Sequence, residues 1–169
     1  ANMIKYQMNV DTDRWLSQKK PFLFIDEVVE LKYPILEKKR KDITPSDLIG
    51  SEVICKFFTD ENLDFFKGHF PNDPVVPGVI LLEMMGQACA FTLCRKWSYE
   101  DIKSLGSALV GIDNARFKKA VRPNETLTIH TKYVKNRKPL GVFDCKILNE
   151  SGSLVASATL KSIVFEGER

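Results

Sequence analysis

Six stretches of the chain are rich in β-branched and aromatic residues or alternate between apolar and polar side chains, a pattern typical of strands. The predicted strands cover residues 22–32, 52–59, 108–119, 125–135, 141–149 and 154–165. The segment Asn149–Gly152 consists of turn-forming residues, so we expect the last two strands to form a hairpin.

One stretch, Val79–Lys96, has apolar residues on nearly all sides of a helix, which is typical of a helix buried inside a protein. A single long helix that follows two strands and precedes four predicts an α+β fold with an antiparallel sheet. Since about six strands have only one long helix to cover them, we expect the sheet to wrap around that helix. The outer face of the sheet would then need a cover, and a second copy of the chain is the natural candidate.

The segments between these elements are predicted to be connections, apart from one short helix at residues 13–17 that Asp11 or Thr12 is expected to cap. Residues 33–50 are polar and charged, and we expect them to cross the surface. The segment Asn62–Gly78 holds three prolines at a spacing of three residues, which predicts a stiff, non-helical loop.

Length and charge limit the function classes. The chain has 169 residues, which fits a single domain covering residues 1–169. Its formal net charge of +3, from 25 basic and 22 acidic residues, is too weak to indicate binding to nucleic acid. No apolar run approaches the about 18 residues that a membrane span needs, and Asp11 and Asp13 interrupt any apolar core of a secretory signal. We therefore expect a cytoplasmic protein without nucleic-acid or membrane partners.

The few potential metal ligands are scattered along the sequence. The four cysteines form no CxxC pair, and the histidines are His69 and His130 only. A zinc site of cysteine and histidine would need closely spaced ligand pairs. We therefore predict no metal site and interpret the cysteines as reduced, small apolar residues.

Two ionisable residues with useful chemistry, His69 and Glu83, stand 14 residues apart. Glu83 would lie about one and a half turns into the apolar helix, where a carboxyl group resists ionisation. A protonated carboxyl group and an imidazole base together suit acid–base catalysis near neutral pH. In the alternative interpretation His69 is structural and Glu83 pairs with a buried arginine or a backbone group. The spacing alone does not decide between the two.

The predicted start of the helix at Gly78 and Val79 adds a place for an anion. The first backbone N–H groups of a helix have no partner within the helix, and the helix dipole is positive there. Such donors can hold a developing oxyanion, and Gly78 has no Cβ to keep a substrate carbonyl away.

The segment Gly68–Glu83 reads Gly-His-Phe-Pro-x-x-Pro-Val-x-Pro-Gly-Val-x-x-x-Glu and resembles the signature of the (3R)-hydroxyacyl-[acyl carrier protein] dehydratases, the FabZ-like branch of the hotdog fold. The similarity continues in Gly86-Gln87-Ala88, in residues 111–124 and in residues 21–28, so that it spans about residues 21–164. It implies a long central helix wrapped by an antiparallel sheet.

The resemblance also implies roles for particular residues. His69 matches the base that removes the C2 proton of a hydroxyacyl thioester, and Glu83 matches the acid that protonates the departing C3 hydroxyl. Gly78 matches the residue whose amide holds the thioester oxygen, with help expected from Val79 and the backbone of Phe70. The family draws the two catalytic residues from opposite subunits, which implies a homodimer, and a trimer of dimers is the larger assembly it allows. No metal or organic cofactor is implied.

The sequence departs from the family pattern ahead of the first predicted strand. Where the family has His-Arg-Tyr-Pro, this chain has Gln18 followed by Lys19-Lys20-Pro21, and Asn124-Glu125 replaces a common Gly-Asp. These positions flank the acyl tunnel or the carrier-docking surface in the family. The acyl chain length and the pathway, whether housekeeping fatty acid synthesis or a specialised lipid, therefore stay open.

Two groups of basic residues are candidates for docking an acidic acyl carrier protein, as in the family. They are Arg116, Lys118 and Lys119, and Lys135, Arg137 and Lys138. The alternative is a solvated face with ordinary ion pairing.

Three functions are therefore compared. The leading hypothesis is a dehydratase that converts a (3R)-hydroxyacyl thioester to the trans-2-enoyl thioester. The second is a hotdog acyl thioesterase, which would use a carboxylate and water rather than this His/Glu pair. The third is a non-catalytic, acyl-binding subunit of a mixed oligomer, against which the presence of both His69 and Glu83 argues.

Overall fold

The strands of the chain form one antiparallel sheet, seven strands wide, in residues 2–6 and 8–166, which the computed structural model describes. In chain order they are β1 (Met3–Lys5), β2 (Glu27–Pro34), β3 (Glu52–Phe58), β4 (Leu105–Phe117), β5 (Thr126–Arg137), β6 (Leu140–Leu148) and β7 (Leu154–Glu166). Their order across the sheet is β1-β2-β3-β5-β6-β7-β4, and each neighbouring pair is antiparallel. The predicted α+β class and the hairpin of the last two strands are confirmed.

The long helix lies inside the curve of the sheet. The helices are α1 (Thr12–Trp15), α2 (Phe65–Gly68), α3 (Gly78–Cys89) and α4 (Tyr99–Ile102). Helix α3 packs against β3, β5, β6 and β7, as the hotdog prediction requires. No helix in the described part of the chain combines the length and the apolar content that crossing a bilayer requires.

Helix α3 ends earlier than its apolar pattern predicts and continues as a 3-10 turn over Ala90–Leu93. The indole N–H of Trp15 donates to the Ala90 carbonyl oxygen at 3.0 Å. The Cys94 N–H bonds instead to the carbonyl of Phe91 at 3.3 Å. The α-helix therefore stops where a side chain of the N-terminal segment takes over one of its carbonyl groups.

The core lies between α3 and the inner face of the sheet. Met84 and Met85 have no exposed surface, and Leu127 and Ile129 face them from β5 with none either. Burying each such side chain contributes about 1.5–3 kcal/mol before the entropy of ordering is subtracted. The two methionines are therefore packing residues of the core.

The first predicted strand begins later than expected. Strand β2 starts at Glu27, because the backbone of Phe22 and Phe24 bonds to the side-chain amide of Gln87 on α3 and not to a neighbouring strand. A strand absent from the prediction, β1, pairs with β2 at the edge of the sheet. It is only three residues long, too short for an alternating pattern to reveal.

Two predicted surface connections have more structure than expected. The segment 33–50 is not confined to the surface, since Tyr33, Ile43 and Leu48 have no exposed surface and belong to the core. The Tyr33 hydroxyl donates to the Phe91 carbonyl at 2.7 Å, which ties this segment to the end of the central helix. The loop 62–78 contains α2 and is therefore not wholly non-helical.

The outer face of the sheet carries charged residues of both signs, and Glu30 lies 3.1 Å from Lys5 and 3.8 Å from Lys32. That a second copy of the chain covers this face stays a prediction. Exposed apolar side chains follow β4, at the edge of the sheet. They are Leu109, Val110, Ile112 and Phe117, between 37% and 54% exposed. A partner would therefore be expected at this edge.

Candidate active site

His69 is held at the end of α2 by a short loop that returns to it. Its backbone N–H donates to the Phe65 carbonyl at 3.0 Å, and its carbonyl accepts from the Val75 N–H at 2.9 Å. The guanidinium of Arg122 bonds to the carboxylate of Asp73 and, at 3.3 Å, to the Pro74 carbonyl. The prolines and these bonds together fix the position of the imidazole.

One ring nitrogen of His69 is already used. Its Nδ1 lies 2.9 Å from the Val75 carbonyl oxygen. Because a carbonyl oxygen only accepts, Nδ1 carries a hydrogen, and in the neutral imidazole the lone pair is then on Nε2. The Phe70 ring stacks on the imidazole at 4.0 Å between centroids. This is the tautomer that a general base requires.

The backbone N–H of Phe70 is occupied within the loop, since it donates to the Asp73 carbonyl at 3.0 Å. In this conformation it is not available to an oxyanion. Phe70 contributes its ring to the site, and that ring is 51% exposed.

The start of α3 presents free donors next to this loop. The first bond to the Pro77 carbonyl comes from the Ile80 N–H at 2.9 Å, so the N–H groups of Gly78 and Val79 have no acceptor among the described residues. A Cβ on Gly78 would lie 3.2 Å from the Phe117 ring, which leaves little room for any side chain there. Val79 is 71% exposed. The geometry suits an oxyanion close to Gly78.

Glu83 lies on α3 and is half-buried, in less apolar surroundings than the sequence suggested. Its Oε1 accepts from the side-chain amides of Gln87 at 3.2 Å and Gln18 at 3.4 Å. His69 and Glu83 share no hydrogen bond or ion pair within the described part of one chain. The single chain therefore presents each half of the predicted pair but does not join them.

A cavity of about 630 Å³ lies near Glu83, although Glu83 itself does not line it. Gln18, which contacts Glu83, lines it, and so do Gly86, Ala90 and Leu93 on the same side of the helix. Apolar and aromatic side chains form most of the remaining wall. They include Trp15, Leu16, Trp97, Leu105, Phe143 and Phe165. The volume falls in the range of about 300–1,000 Å³ that is usual for small-molecule sites.

The two basic groups lie at opposite ends of the sheet, and all six side chains are exposed. Phe117, next to Arg116 and Lys118, pairs with Ala156 of β7, whereas Leu140, next to the second group, pairs with Ile163. Seven residues of a strand correspond to about 23 Å. The group of Arg116, Lys118 and Lys119 is the closer of the two to Gly78, because the ring of its neighbour Phe117 lies beside Gly78.

The cysteines and His130 supply no reactive group to the site, and Cys89 only lines the cavity. All four cysteines are buried, and burial raises the pKa of the Cys89 thiol well above its ordinary value, with the neighbouring Cys145 adding to the effect. Burial and Lys146 lower the pKa of His130, on the outer face of the sheet. The described residues contain no group of three His, Cys, Asp or Glu side chains that could hold a metal ion.

Three polar residues of the site were assigned no role from the sequence, although all three lie in segments that were compared with the family. Gln87 follows Glu83 by four residues, and this spacing places both on one face of a helix. That signal was therefore available. Gln18 and Arg122 are distant in sequence from the groups they contact, so no local pattern indicates them.

The family model for ApeI-like dehydratases matches residues 46–158 of the chain. Among solved structures, the dehydratase heterocomplex ApeI:P from Xenorhabdus doucetiae is 17% identical with a TM-score of 0.64, and the alignment covers 97% of this chain and 94% of that one. A hypothetical thioesterase with coenzyme A from Streptococcus pneumoniae TIGR4 is 18% identical with a TM-score of 0.53, covering 80% and 88%. At these identities the structures show the shared fold alone. Fold and family match together define a hotdog-fold dehydratase.

Relatives with higher sequence identity narrow the class from hotdog-fold dehydratases in general to one family. The 3-hydroxyacyl-[acyl-carrier-protein] dehydratase FabZ of Campylobacter lari is 36% identical over 154 residues, covering 89% of this chain and 92% of the relative. FabZ of Shewanella loihica is 36% identical over 149 residues, covering 87% and 85%. The chain belongs to the FabZ family of 3-hydroxyacyl-[acyl-carrier-protein] dehydratases.

Proposed function

We propose that the protein removes water from a (3R)-hydroxyacyl thioester carried on an acyl carrier protein and forms the trans-2-enoyl thioester. Nε2 of His69 takes the C2 proton, and the electron pair of that C–H bond becomes the C2–C3 double bond. The C3–O bond breaks as Glu83 supplies a proton, so that the hydroxyl leaves as water. The Gly78 N–H holds the charge that develops on the thioester oxygen. The observation that carries this proposal is the free Nε2 of His69 in a loop that leads to the free N–H groups of α3.

The same proposal includes a homodimer in which His69 of one subunit meets Glu83 of the other. Two observations support it. The two residues do not bond within one chain, and exposed apolar side chains surround both the site and the β4 edge. Phe70 and Val79 would be covered by the second subunit. A trimer of dimers and a cytoplasmic location stay predictions.

We assign the cavity near Glu83 to the acyl chain. The lining residues Gly86, Ala90 and Leu93 lie along the end of α3 and the 3-10 turn that follows it, over about 12 Å. A saturated chain advances about 1.25 Å per carbon, given its bond length and tetrahedral angle, so this length corresponds to about ten carbons. Arg116, Lys118 and Lys119, near Gly78, are the basic group better placed to dock the carrier protein.

Single substitutions test the roles of the two catalytic residues. His69→Ala and Glu83→Gln are each expected to abolish hydration of a crotonyl thioester, followed by ultraviolet absorbance, while the dimer survives in gel filtration. Acid or base catalysis of this kind contributes about 10²–10⁴-fold per group. Turnover at the wild-type rate in either variant would remove that residue from the mechanism. Release of free thiol by the wild type would favour a thioesterase instead.

Mixing the two inactive variants tests the shared site. A mixed dimer would have one site with both residues intact and one with neither. Random exchange at equal amounts would therefore restore about a quarter of the wild-type activity. If both residues act within one chain, the mixture would stay inactive, and the proposed arrangement of the dimer would be wrong.

A further inference from the structure

The side-chain amide of Gln87 is fixed in one orientation by the backbone around it. Gln87 is 1% exposed, and its Oε1 accepts from the Phe24 N–H at 2.8 Å. Its Nε2 donates to the Phe22 carbonyl at 2.9 Å and to Oε1 of Glu83 at 3.2 Å. A reversed amide would set its oxygen against a carbonyl oxygen and its NH₂ against an N–H. Gln87 therefore always presents a hydrogen to Glu83.

Gln18 brings a second amide to the same oxygen from a different segment. Its Nε2 lies 3.4 Å from Oε1 of Glu83. The segment is anchored two and three residues earlier, because Leu16 is 3% exposed and Trp15, 2% exposed, bonds to Ala90. Both amide groups are uncharged and do not titrate, so a change of pH does not alter them as hydrogen-bond donors.

These two bonds make the oxygens of Glu83 unequal. A carboxyl oxygen has two lone-pair sites, and on Oε1 both accept hydrogens from amides. Oε2 has no hydrogen-bond partner among the described residues. A proton on Glu83 is therefore accommodated on Oε2.

We propose that Gln18 and Gln87 are positioning residues that direct the acid proton of Glu83 to Oε2, the oxygen that delivers it to the departing hydroxyl. This inference rests on the proposed dehydratase function. In the forward step the O–H bond at Oε2 breaks, and the proton joins the C3 oxygen as the C3–O bond breaks. The carboxylate that remains is stabilised by the two hydrogen bonds that Oε1 accepts. These bonds become stronger as negative charge develops on the carboxylate.

Gln18 provides the cleaner test, because it is half-buried and its side chain bonds to no backbone group of the residues that the structure describes. Gln18→Met keeps the length of the side chain and removes the donor, whereas Gln18→His restores an N–H donor. We expect kcat for crotonyl-thioester hydration to fall about fivefold in Gln18→Met with KM unchanged, which corresponds to one neutral hydrogen bond. Gln18→His should recover most of the loss. Asp13→Asn, an exposed change in the same N-terminal segment but outside the lining of the cavity, is the matched control and should leave both constants unchanged.

Unchanged kcat in Gln18→Met would overturn the proposal, and so would equal losses in the Met and His variants, which would indicate a structural role. A second measurement needs no turnover. The side-chain amide signals of Gln18 and Gln87 in ¹H–¹⁵N NMR spectra should move with pH in the wild type and stay fixed in Glu83→Gln. Amide signals that ignore pH in the wild type would refute the contact itself. An inactive wild-type enzyme whose amide signals do follow Glu83 would instead refute the proposed function.

Discussion

Replacing Gln87 by leucine should destabilise the fold, because Gln87 is the side-chain partner of two backbone groups. The variant removes the acceptor of the Phe24 N–H and the donor to the Phe22 carbonyl. Each unsatisfied buried group costs about 1–3 kcal/mol. Phe24 is 1% exposed and incurs the full cost, whereas Phe22 is 48% exposed, so water can reach its carbonyl. We therefore expect the free energy of unfolding to fall by about 2–4 kcal/mol.

Urea denaturation, followed by tryptophan fluorescence, measures this loss at equilibrium. Met84→Leu is the matched control, because it changes shape but no hydrogen bond at a neighbouring buried position. Such volume-conserving changes usually cost less than about 1.5 kcal/mol. A loss below about 1 kcal/mol in Gln87→Leu would show that the 22–26 segment finds other partners, and the assigned role of the amide would be wrong.

Three further predictions follow from the site and its surroundings. Gly78→Ala should lower kcat/KM for crotonyl-thioester hydration about tenfold or more, because the new Cβ obstructs the oxyanion position. Tm should change little, because the exposed Phe117 ring can move aside, and unchanged kinetics would contradict the prediction. Reversing the charges of Lys118 and Lys119 to Glu should raise KM for carrier-bound substrate and not for a small soluble thioester; equal effects on both would remove docking. Burial raises the pKa of Asp26, and the hydrogen bond from the Phe58 N–H lowers it by less. The native state therefore binds the Asp26 proton more tightly than the unfolded state does, and this contribution to stability is lost as pH rises. Asp26→Asn should therefore flatten the dependence of Tm on pH above the ordinary carboxyl range, and an unchanged slope would contradict the shift.

The central helix and most strands could be predicted because local pattern and final environment agree. An apolar surface on all sides of Val79–Cys89 means burial in any fold, and alternation in β5 and β6 identifies the inner face. The first strand shows where this reasoning fails. Residues 22–26 have strand composition, but the Phe24 N–H and the Phe22 carbonyl bond to a glutamine more than 60 residues away, whereas the Asp26 N–H already bonds to β3, at the Lys56 carbonyl.

Contacts distant in sequence also explain what was missed elsewhere. The segment 33–50 was predicted to lie on the surface because most of its residues are polar or charged. That average composition gave no indication that Ile43 and Leu48 are fully buried. At the site, residue chemistry and spacing made His69, Gly78 and Glu83 candidates, and only the family resemblance assigned roles to them. The tautomer of His69 could not be predicted, because it depends on how the loop brings the Val75 carbonyl to Nδ1.

The amide of Gln87 serves the architecture and Glu83 at the same time, whereas Glu83 accepts no hydrogen bond from a backbone group in the described part of the chain. A relative that had lost catalysis could dispense with the carboxyl group but would still need the glutamine to fold. In a comparison of hotdog sequences, the residue equivalent to Gln87 would therefore indicate only shared architecture. The carboxylate one turn earlier is the position from which retained or lost enzymatic activity should be inferred.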